Sequence, residues 1–249
     1  MPKRNWNNEV RKTYDEFLTK MANGEKEEFL KFAVEWGKVE KSLEADLLKL
    51  AKMQVKDRKQ LYKNKYFQKF LFDVRQQTYK YNLLVAADIA DQQRKYIQGS
   101  LGILTDVLRV NLVRLNPKAV EFMIGQTFNG TPLFKLLQKS YPKDVDNLVR
   151  ILINSTAKGI NPLETARLLK ESMNGNIQRA ITIARTEQLR VFRDSNLLAM
   201  KESGVVKGWE WDAEDDACPE CDEKDGKIYT LDEPFDTHPN CRCAPLPVV

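Results

Sequence analysis

Apolar residues recur at helical spacing through most of the chain and give way to strand-like alternation near its C-terminal end. No Gly and no Pro occurs between Gly37 and Gly99, a span rich in Leu, Lys, Gln, Ala and Glu. Strong helix formers without helix breakers are typical of long helices. The pattern predicts three of them, at about 7–22, 25–60 and 61–98. A hairpin is predicted near Lys63 and Asn64.

Two more helices are predicted after the punctuated middle of the chain. Asn161 can cap a helix and Pro162 suits its first position, so we expect a helix that ends near Met173. A longer helix follows at about 176–202, with Gly204 placed just beyond its end.

Charged residues on the longer helix are spaced for pairing. Arg185 and Glu187 are two residues apart and do not face each other, whereas Glu187 and Arg190 are three apart and do. The spacing predicts ion pairs within the helical layer.

From Val205 onward the apolar period changes to two, which is typical of a strand. One strand face then carries Val205, Lys207, Trp209 and Trp211. Two tryptophans on one face need a cover, and the helix at 176–202 is the nearest candidate. Asp225-Gly226 predicts a hairpin turn. The fold class predicted is therefore α+β, with a mainly helical body and a small C-terminal β lobe at about 205–249.

Length and composition are those of an ordinary globular protein. The 249 residues suit one large domain, or a main domain with an appendage. Apolar residues make up 42% and charged residues 30% of the chain, so global disorder is not expected. No apolar run reaches the length of a membrane span, and no apolar signal segment follows Met1. We expect no membrane partner, and synthesis and assembly in a cytoplasm.

The net charge of +5 conceals a strong asymmetry. Residues 209–249 hold 3 Lys and Arg against 12 Asp and Glu, whereas residues 1–208 hold 37 against 23. A basic body of this kind favours a polyanionic partner or a charged protein surface.

The densest basic segment lies at 49–80, where ten basic residues accompany two acidic ones. The candidate phosphate contacts are Lys52, Lys56, Lys59 and Lys63. The alternative is a solvated lysine face whose neighbouring aromatic residues turn toward a core.

All four cysteines and the single histidine fall within residues 218–243. Cys218 and Cys221 form a CxxC pair, and His238, Cys241 and Cys243 follow after 16 intervening residues. Thiolate and imidazole are the ligands that zinc prefers, and four are needed where five are offered. The sequence predicts a structural zinc site whose fourth ligand stays open among His238, Cys241 and Cys243. Two disulfides and free buried thiols are the alternatives.

Catalytic alternatives find little support in the sequence. A zinc protease motif needs two histidines, and the chain has one. A Cys–His nucleophile pair and a calcium site at Glu214-Asp215-Asp216 are formally available, but the acidic run lacks the spacing of an EF-hand. No phosphate-binding loop or serine-hydrolase motif is present. We therefore predict no enzymatic activity.

Taken in order, several motifs resemble the C-terminal domain of tailed-phage minor head proteins, the Mu F-like head-morphogenesis family. They are Ala184-Arg185-Thr186-Glu187, Trp211-Asp212, Asp216, Cys218-Pro219-Glu220-Cys221, Asp225-Gly226 and the final His238-Pro239-Asn240-Cys241-Arg242-Cys243. The resemblance covers about residues 100–249, and the final run is its most specific part. Residues 1–99, a long-helix N-terminal region, are similar only in being helical and charged.

The resemblance implies a non-enzymatic structural protein of the virion, located in the capsid interior near the portal after assembly in the host cytoplasm. Its implied partners are the portal protein, the major capsid or scaffolding protein, and double-stranded DNA during packaging or ejection. Comparison with the family favours the four cysteines as zinc ligands, with His238 as an alternate or outer ligand. Arg185, Glu187, Trp211 and Asp212 are implied to be structural. The competing hypothesis is a general nucleic-acid-binding zinc protein that uses a basic helix.

Overall fold

A computed structural model describes residues 6–109, 115–127, 130–139 and 141–249. Within these ranges the helices are α1 (Trp6–Ala51), α2 (Arg58–Lys63), α3 (Lys65–Leu108), α4 (Pro117–Met123), α5 (Leu133–Gln138), α6 (Tyr141–Lys158), α7 (Pro162–Met173), α8 (Gly175–Ser203) and α9 (Pro219–Asp222). The strands are β1 (Gly208–Asp212), β2 (Ile228–Tyr229) and β3 (Ala244–Val248). Long helices with one small sheet confirm the predicted α+β class.

The chain forms two compact units, each built from separate stretches of sequence. One, called here the lobe-bearing unit, comprises 1–28, 87–132 and 182–249, and the other, the helical unit, comprises 29–86 and 133–181. The long helices α1, α3 and α8 contribute residues to both. The predicted division between residues 99 and 100 falls inside α3 and stays a prediction.

The sheet is antiparallel, in the order β2-β1-β3. Trp209 and Trp211 point to one face of the central strand β1, as predicted, and both are buried. The same apolar cluster includes Val191, Ala199 and Met200 of α8, so the predicted cover is confirmed.

Two further rings complete that face of the sheet. Tyr229 stacks on Trp209 with centroids 4.4 Å apart, and Phe235 stacks on Trp211 at 3.9 Å. Stacked rings of this size contribute to stability beyond the area they bury.

The opposite face of the sheet is held by the first helix. Arg11 of α1 forms salt bridges with both Glu210 and Asp212 of β1. Val10 and Tyr14, on the same helix, share an apolar cluster with Leu246 of β3. The small sheet is therefore covered on both faces within the lobe-bearing unit.

The predicted break between helices near Asn23 and Gly24 is wrong, because α1 continues through it. The buried positions Met21, Glu25, Glu28 and Phe32 keep a spacing of three to four residues across this point. Gly24 lies on the exposed side of the helix, and a Cβ at this position would have no neighbouring atom within 4 Å. A glycine inside a helix costs about 0.5–1 kcal/mol, too little to break one whose buried stripe is continuous.

The prediction of one helix over 25–60 is also wrong, since α1 ends at Ala51 and a loop precedes α2. Asp57 caps α2, and its carboxylate accepts a hydrogen bond from the Gln60 amide at 2.8 Å. The next break comes at Asn64, near the predicted hairpin, where the side chain accepts from the amides of Tyr66 and Phe67. Capping side chains of this kind start a new helix without Gly or Pro.

The third predicted helix, 61–98, begins later and runs further, as α3 extends to Leu108. Gly99 lies inside it at a close packing contact, because a Cβ at this position would come within 2.3 Å of the Phe17 ring. The glycine permits this approach of α1 and α3 within the lobe-bearing unit and does not end the helix.

The later helices match their predictions closely. Asn161 caps α7 by accepting from the Leu163 amide, and α7 ends at Met173. Helix α8 ends at Ser203, and Gly204 follows with a positive φ of 68°. The Glu187–Arg190 pair is formed, with 2.8 Å between Oε2 and Nε. Arg185 turns away from it to Glu25, at 3.0 Å.

The helical unit has a core of its own. Trp36 of α1 meets Tyr81 of α3 edge to face, with centroids 5.0 Å apart, and both are buried. Phe67 and Phe70 of α3 are buried as well. Among the helices of the described ranges, none combines the length and apolar character that crossing a bilayer requires.

Candidate metal centre

The CxxC pair lies on the short helix α9. Cys218 occupies its N-cap, and the Cys218 carbonyl accepts hydrogen bonds from the amides of Cys221 and Asp222, both at 2.9 Å. This tight turn brings both sulfurs to the same imidazole. His238 Nε2 lies 3.2 Å from Cys218 Sγ and 3.3 Å from Cys221 Sγ.

A second turn carries the remaining candidates. The Cys241 amide donates to the His238 carbonyl at 3.3 Å, and Asn240 between them adopts a left-handed conformation, with φ at 63°. Asn is among the residues that adopt this conformation most readily. The Asn240 amide also donates to Thr186 Oγ1 of α8 at 3.2 Å. One residue of the Arg-Thr-Glu motif thus holds the turn that presents the ligands.

Two overlapping groups of side chains can hold a metal ion, and Cys221 belongs to both. They are Cys218, Cys221 and His238, and Cys221, Cys241 and Cys243, with ligand atoms inside each group within 4.8 Å of one another. Cys221 Sγ lies 3.8 Å from Cys241 Sγ. Tetrahedral zinc sets about 3.8 Å between two sulfurs and about 3.5 Å between sulfur and nitrogen. The side chains present therefore fit such an ion.

The histidine ring is oriented for coordination. His238 Nδ1 lies 2.9 Å from the Pro239 carbonyl oxygen and donates to it. In the neutral ring this bond leaves the lone pair on Nε2, the atom that faces the two sulfurs. A metal-bound histidine usually donates its other nitrogen to a carbonyl in this way. A metal ion bound by the cysteines would therefore lie within direct reach of His238 Nε2 as well.

The thiols differ in their affinity for protons. A hydrogen bond from Cys243 lowers the pKa of Cys241 to about 4, and the same contact raises the pKa of Cys243. Burial raises the pKa of Cys221 to about 12. The four cysteines are free thiols. A metal ion that binds here would displace protons from the thiols whose pKa values are raised.

A buried arginine, which the sequence analysis did not single out, supports the second turn. Arg193 of α8 donates from Nε to the Cys243 carbonyl at 2.8 Å and from Nη2 to the Cys241 carbonyl at 2.6 Å. Its guanidinium lies over the Phe235 ring, 4.9 Å from the centroid. The spacing of charged residues along α8 does not distinguish Arg193 from the other arginines of this helix.

The predicted structural residues all lie in the lobe-bearing unit and outside the metal centre. Arg185 pairs with buried Glu25, which Arg242 also approaches at 3.7 Å. Asp212 accepts from Arg11 on the far face of the sheet. Arg11 was likewise missed, because the sequence does not show which helix covers that face.

The predicted phosphate contacts lie elsewhere, in the helical unit. Lys52 and Lys56 belong to the loop after α1, and Lys59 and Lys63 belong to α2. All four side chains are exposed, while Phe67 and Phe70 face the core. The four lysines therefore lie on an exposed loop and a short helix, and not on the long helices predicted over 25–60 and 61–98. The four lysines are called the basic loop below.

Comparison with known protein families gives a match over part of the chain. Residues 146–246 match the family described as Phage Mu protein F like protein. No curated protein and no solved structure matches the chain significantly. The matched span contains the Arg-Thr-Glu motif, both tryptophans and all five candidate ligands, so the residues that carried the resemblance lie inside it. Residues 100–145 of the predicted domain lie outside the match. Residues 146–246, about two fifths of the chain, are therefore similar to the Phage Mu protein F like family, in agreement with the resemblance found in the sequence.

Proposed function

We propose that the protein is a non-enzymatic minor head protein of a tailed phage that binds the portal during assembly of the capsid. The observation that carries this proposal is the family match over residues 146–246. A lobe held by side-chain contacts, with apolar packing on both faces of its sheet, suits a structural role. The virion, at the capsid interior near the portal, is the proposed location.

Co-expression tests the portal contact. The full chain, tagged, is expressed with the portal protein, the major capsid protein and the scaffolding protein of the same phage, each in turn. The portal is expected to be retained on the tag and the others to be retained weakly or only with the portal. Retention of the capsid protein alone would contradict the proposed portal contact. It would still be consistent with a structural protein of the phage head.

We further propose that the Cys/His centre binds zinc as a structural ion. The donor set is that of structural zinc, and the sulfur–sulfur and sulfur–nitrogen separations suit tetrahedral coordination. Zinc would stabilise a lobe whose sheet contains only three short strands. Its ligands would be Cys221 with three of Cys218, His238, Cys241 and Cys243. Metal analysis of the purified chain is expected to give one zinc per chain, and four thiols titrating without metal would contradict it.

DNA binding by the basic loop is a second proposal, supported by the exposure of its four lysines. Replacing all four with Gln is expected to weaken binding to arbitrary duplex DNA and to flatten its salt dependence, by roughly 0.9 in the log–log slope for each phosphate that is no longer neutralised. The matched control replaces Lys12, Lys20, Lys26 and Lys207, which are equally exposed and lie in the lobe-bearing unit. Equal losses of affinity in both variants would show that only total charge matters. If the portal does not bind and the basic loop does, the general nucleic-acid-binding alternative is favoured.

A further inference from the structure

Arg193 combines deep burial with direct contact to the ligand-bearing turn. The residue is 3% exposed, and it is fixed by two carbonyl hydrogen bonds and by the Phe235 ring. Both carbonyls belong to candidate ligands, Cys241 and Cys243. The guanidinium thus occupies one side of the Cys-Arg-Cys turn.

The positive charge of Arg193 has no carboxylate partner within salt-bridge distance among the described residues. Its neighbour Asp194 pairs with Arg190, 2.7 Å away. A buried charge is costly unless an opposite charge compensates it, and hydrogen bonds to neutral carbonyls satisfy donors without cancelling charge. The groups that the Arg193 guanidinium contacts by hydrogen bonds are instead the backbone carbonyls of Cys241 and Cys243, whose side chains are candidate metal ligands.

We propose that Arg193 is the built-in countercharge of the metal centre and positions its Cys-Arg-Cys turn. This inference rests on the proposed zinc. A zinc ion with three thiolates and one imidazole carries a net charge of −1, and one with four thiolates carries −2. A buried guanidinium beside the turn offsets that charge, and its fixed fork sets where the two carbonyls, and with them the two sulfurs, lie.

Two substitutions in the full chain separate the charge of Arg193 from its hydrogen bonds. Arg193→Gln keeps a donor and removes the charge, whereas Arg193→Lys keeps the charge and removes the fork. Zn²⁺ affinity is measured by competition with a chromophoric chelator, and Co²⁺ spectra report the number of thiolate ligands. Arg193→Gln is expected to lower Zn²⁺ affinity by about 10–100-fold, the usual effect of removing a group that orients metal ligands. Arg193→Lys is expected to recover part of that affinity, with a sulfur-to-cobalt band closer to that of the parent chain.

The matched control is Arg190→Gln, on the same helix, since Arg190 also donates to backbone carbonyls but to those of Met123 and Gln126. Its Zn²⁺ affinity is expected to stay within about threefold of the parent value, with an unchanged Co²⁺ spectrum. For a variant that is unfolded without metal, the Zn²⁺ affinity is taken from the Zn²⁺ concentration that restores its circular dichroism signal. Parent affinity in Arg193→Gln, or equally reduced affinity in the Gln and Lys variants, would overturn the countercharge role alone. A parent chain that binds no Zn²⁺ would overturn the zinc proposal as well.

Discussion

The two compact units differ in the sign of their charge and in how their interiors are held. The helical unit contains 21 Lys and Arg against 10 Asp and Glu, and the lobe-bearing unit contains 19 against 25. The first therefore has a net charge of +11 and the second of −6. The helical unit encloses an apolar core around Trp36 and Tyr81, whereas the lobe-bearing unit adds a Cys/His centre and a buried arginine to its core.

The basic body inferred from the sequence is therefore mainly a property of the helical unit. Most of the excess positive charge of residues 1–208 belongs to the helical unit, and the four lysines of the basic loop are exposed there. The lobe-bearing unit keeps its few critical groups buried. The interiors of the two units are thus expected to respond separately to mutation, and four predictions test this, in order of decreasing effect.

The largest effect is expected from Cys221→Ser, because Cys221 belongs to both groups of candidate ligands. Zinc content should fall close to zero, and protease cleavage between residues 215 and 245 should rise as the lobe opens. Chelation of the parent chain should have the same effect. Amide exchange in residues 29–86 should stay unchanged, as measured by mass spectrometry.

The control for this prediction is Ala199→Ser, which adds a hydroxyl to the same apolar cluster and leaves all the thiols in place. It should retain zinc. Cys218→Ser, at a half-buried ligand of one group only, should release less metal than Cys221→Ser. Full zinc content and native protease resistance in Cys221→Ser would show that the centre is not a metal site.

The next largest effect is expected from Trp36→Ala in the helical unit. Removing a fully buried ring should cost about 3–5 kcal/mol of the free energy of unfolding, because the cavity cannot be filled by its neighbours. Amide exchange should accelerate in 29–86 and 133–181, with zinc content unchanged. Release of zinc in this variant would show that the two units are not energetically separable.

The candidate metal site was largely predictable from the sequence, because its signal is local. The CxxC spacing and the final Cys/His run place five ligands within 26 residues, and the structure brings all five into two groups sharing Cys221. The spacing of residues in the sequence does not reveal which side chains of distant helices contact the site. Arg193 and Thr186 contact the ligand turn from α8, and Arg11 contacts the sheet from α1.

The fold was predictable in class and in its later helices but not in the boundaries of its first three. Breaks were expected where Gly occurs, yet α1 passes through Gly24 and α3 through Gly99. The helices that follow the real breaks are capped by Asp57 and Asn64. In the sequence these two residues look like any other Asp or Asn of the chain. Tertiary packing decides which glycines a helix tolerates, and that information is absent from a local pattern.

A smaller effect is expected from one substitution made in each unit, Gly37→Ala and Gly226→Ala. Both glycines are exposed, and a Cβ at either position would have no neighbouring atom within 4 Å. Gly37 lies inside α1, so Ala should stabilise the helical unit by about 0.5–1 kcal/mol. Gly226 has a φ of 70°, so Ala there should destabilise the lobe-bearing unit by about 1 kcal/mol. Amide exchange resolved by unit measures both, and equal signs would contradict the assigned turn.

The smallest effect compares two Glu–Arg pairs of the same spacing. Burial raises the pKa of Glu187 despite Arg190, whereas the hydrogen bond from Arg167 lowers the pKa of exposed Glu164. A carboxyl whose folded pKa is raised holds its proton longer in the folded state, so stability falls as pH rises from the unfolded pKa, about 4.3, to the folded one. A carboxyl whose folded pKa is lowered contributes stability above about pH 4.3 that is lost as pH falls through the folded pKa.

The two pairs should therefore respond to Glu→Gln with opposite slopes. As pH rises from 3 to 7, the stability of Glu187→Gln relative to the parent chain should increase, because the parent alone must ionise a buried carboxyl. Over the same range the relative stability of Glu164→Gln should decrease, and by less, since solvent and salt screen that exposed pair. Urea unfolding at each pH measures both differences, and 1 M salt should weaken the Glu164 effect more. Slopes of the same sign would mean that the effect of burial on the pKa of Glu187 does not outweigh that of Arg190. The ion pair on α8 would then not differ in kind from the solvated pair in the helical unit.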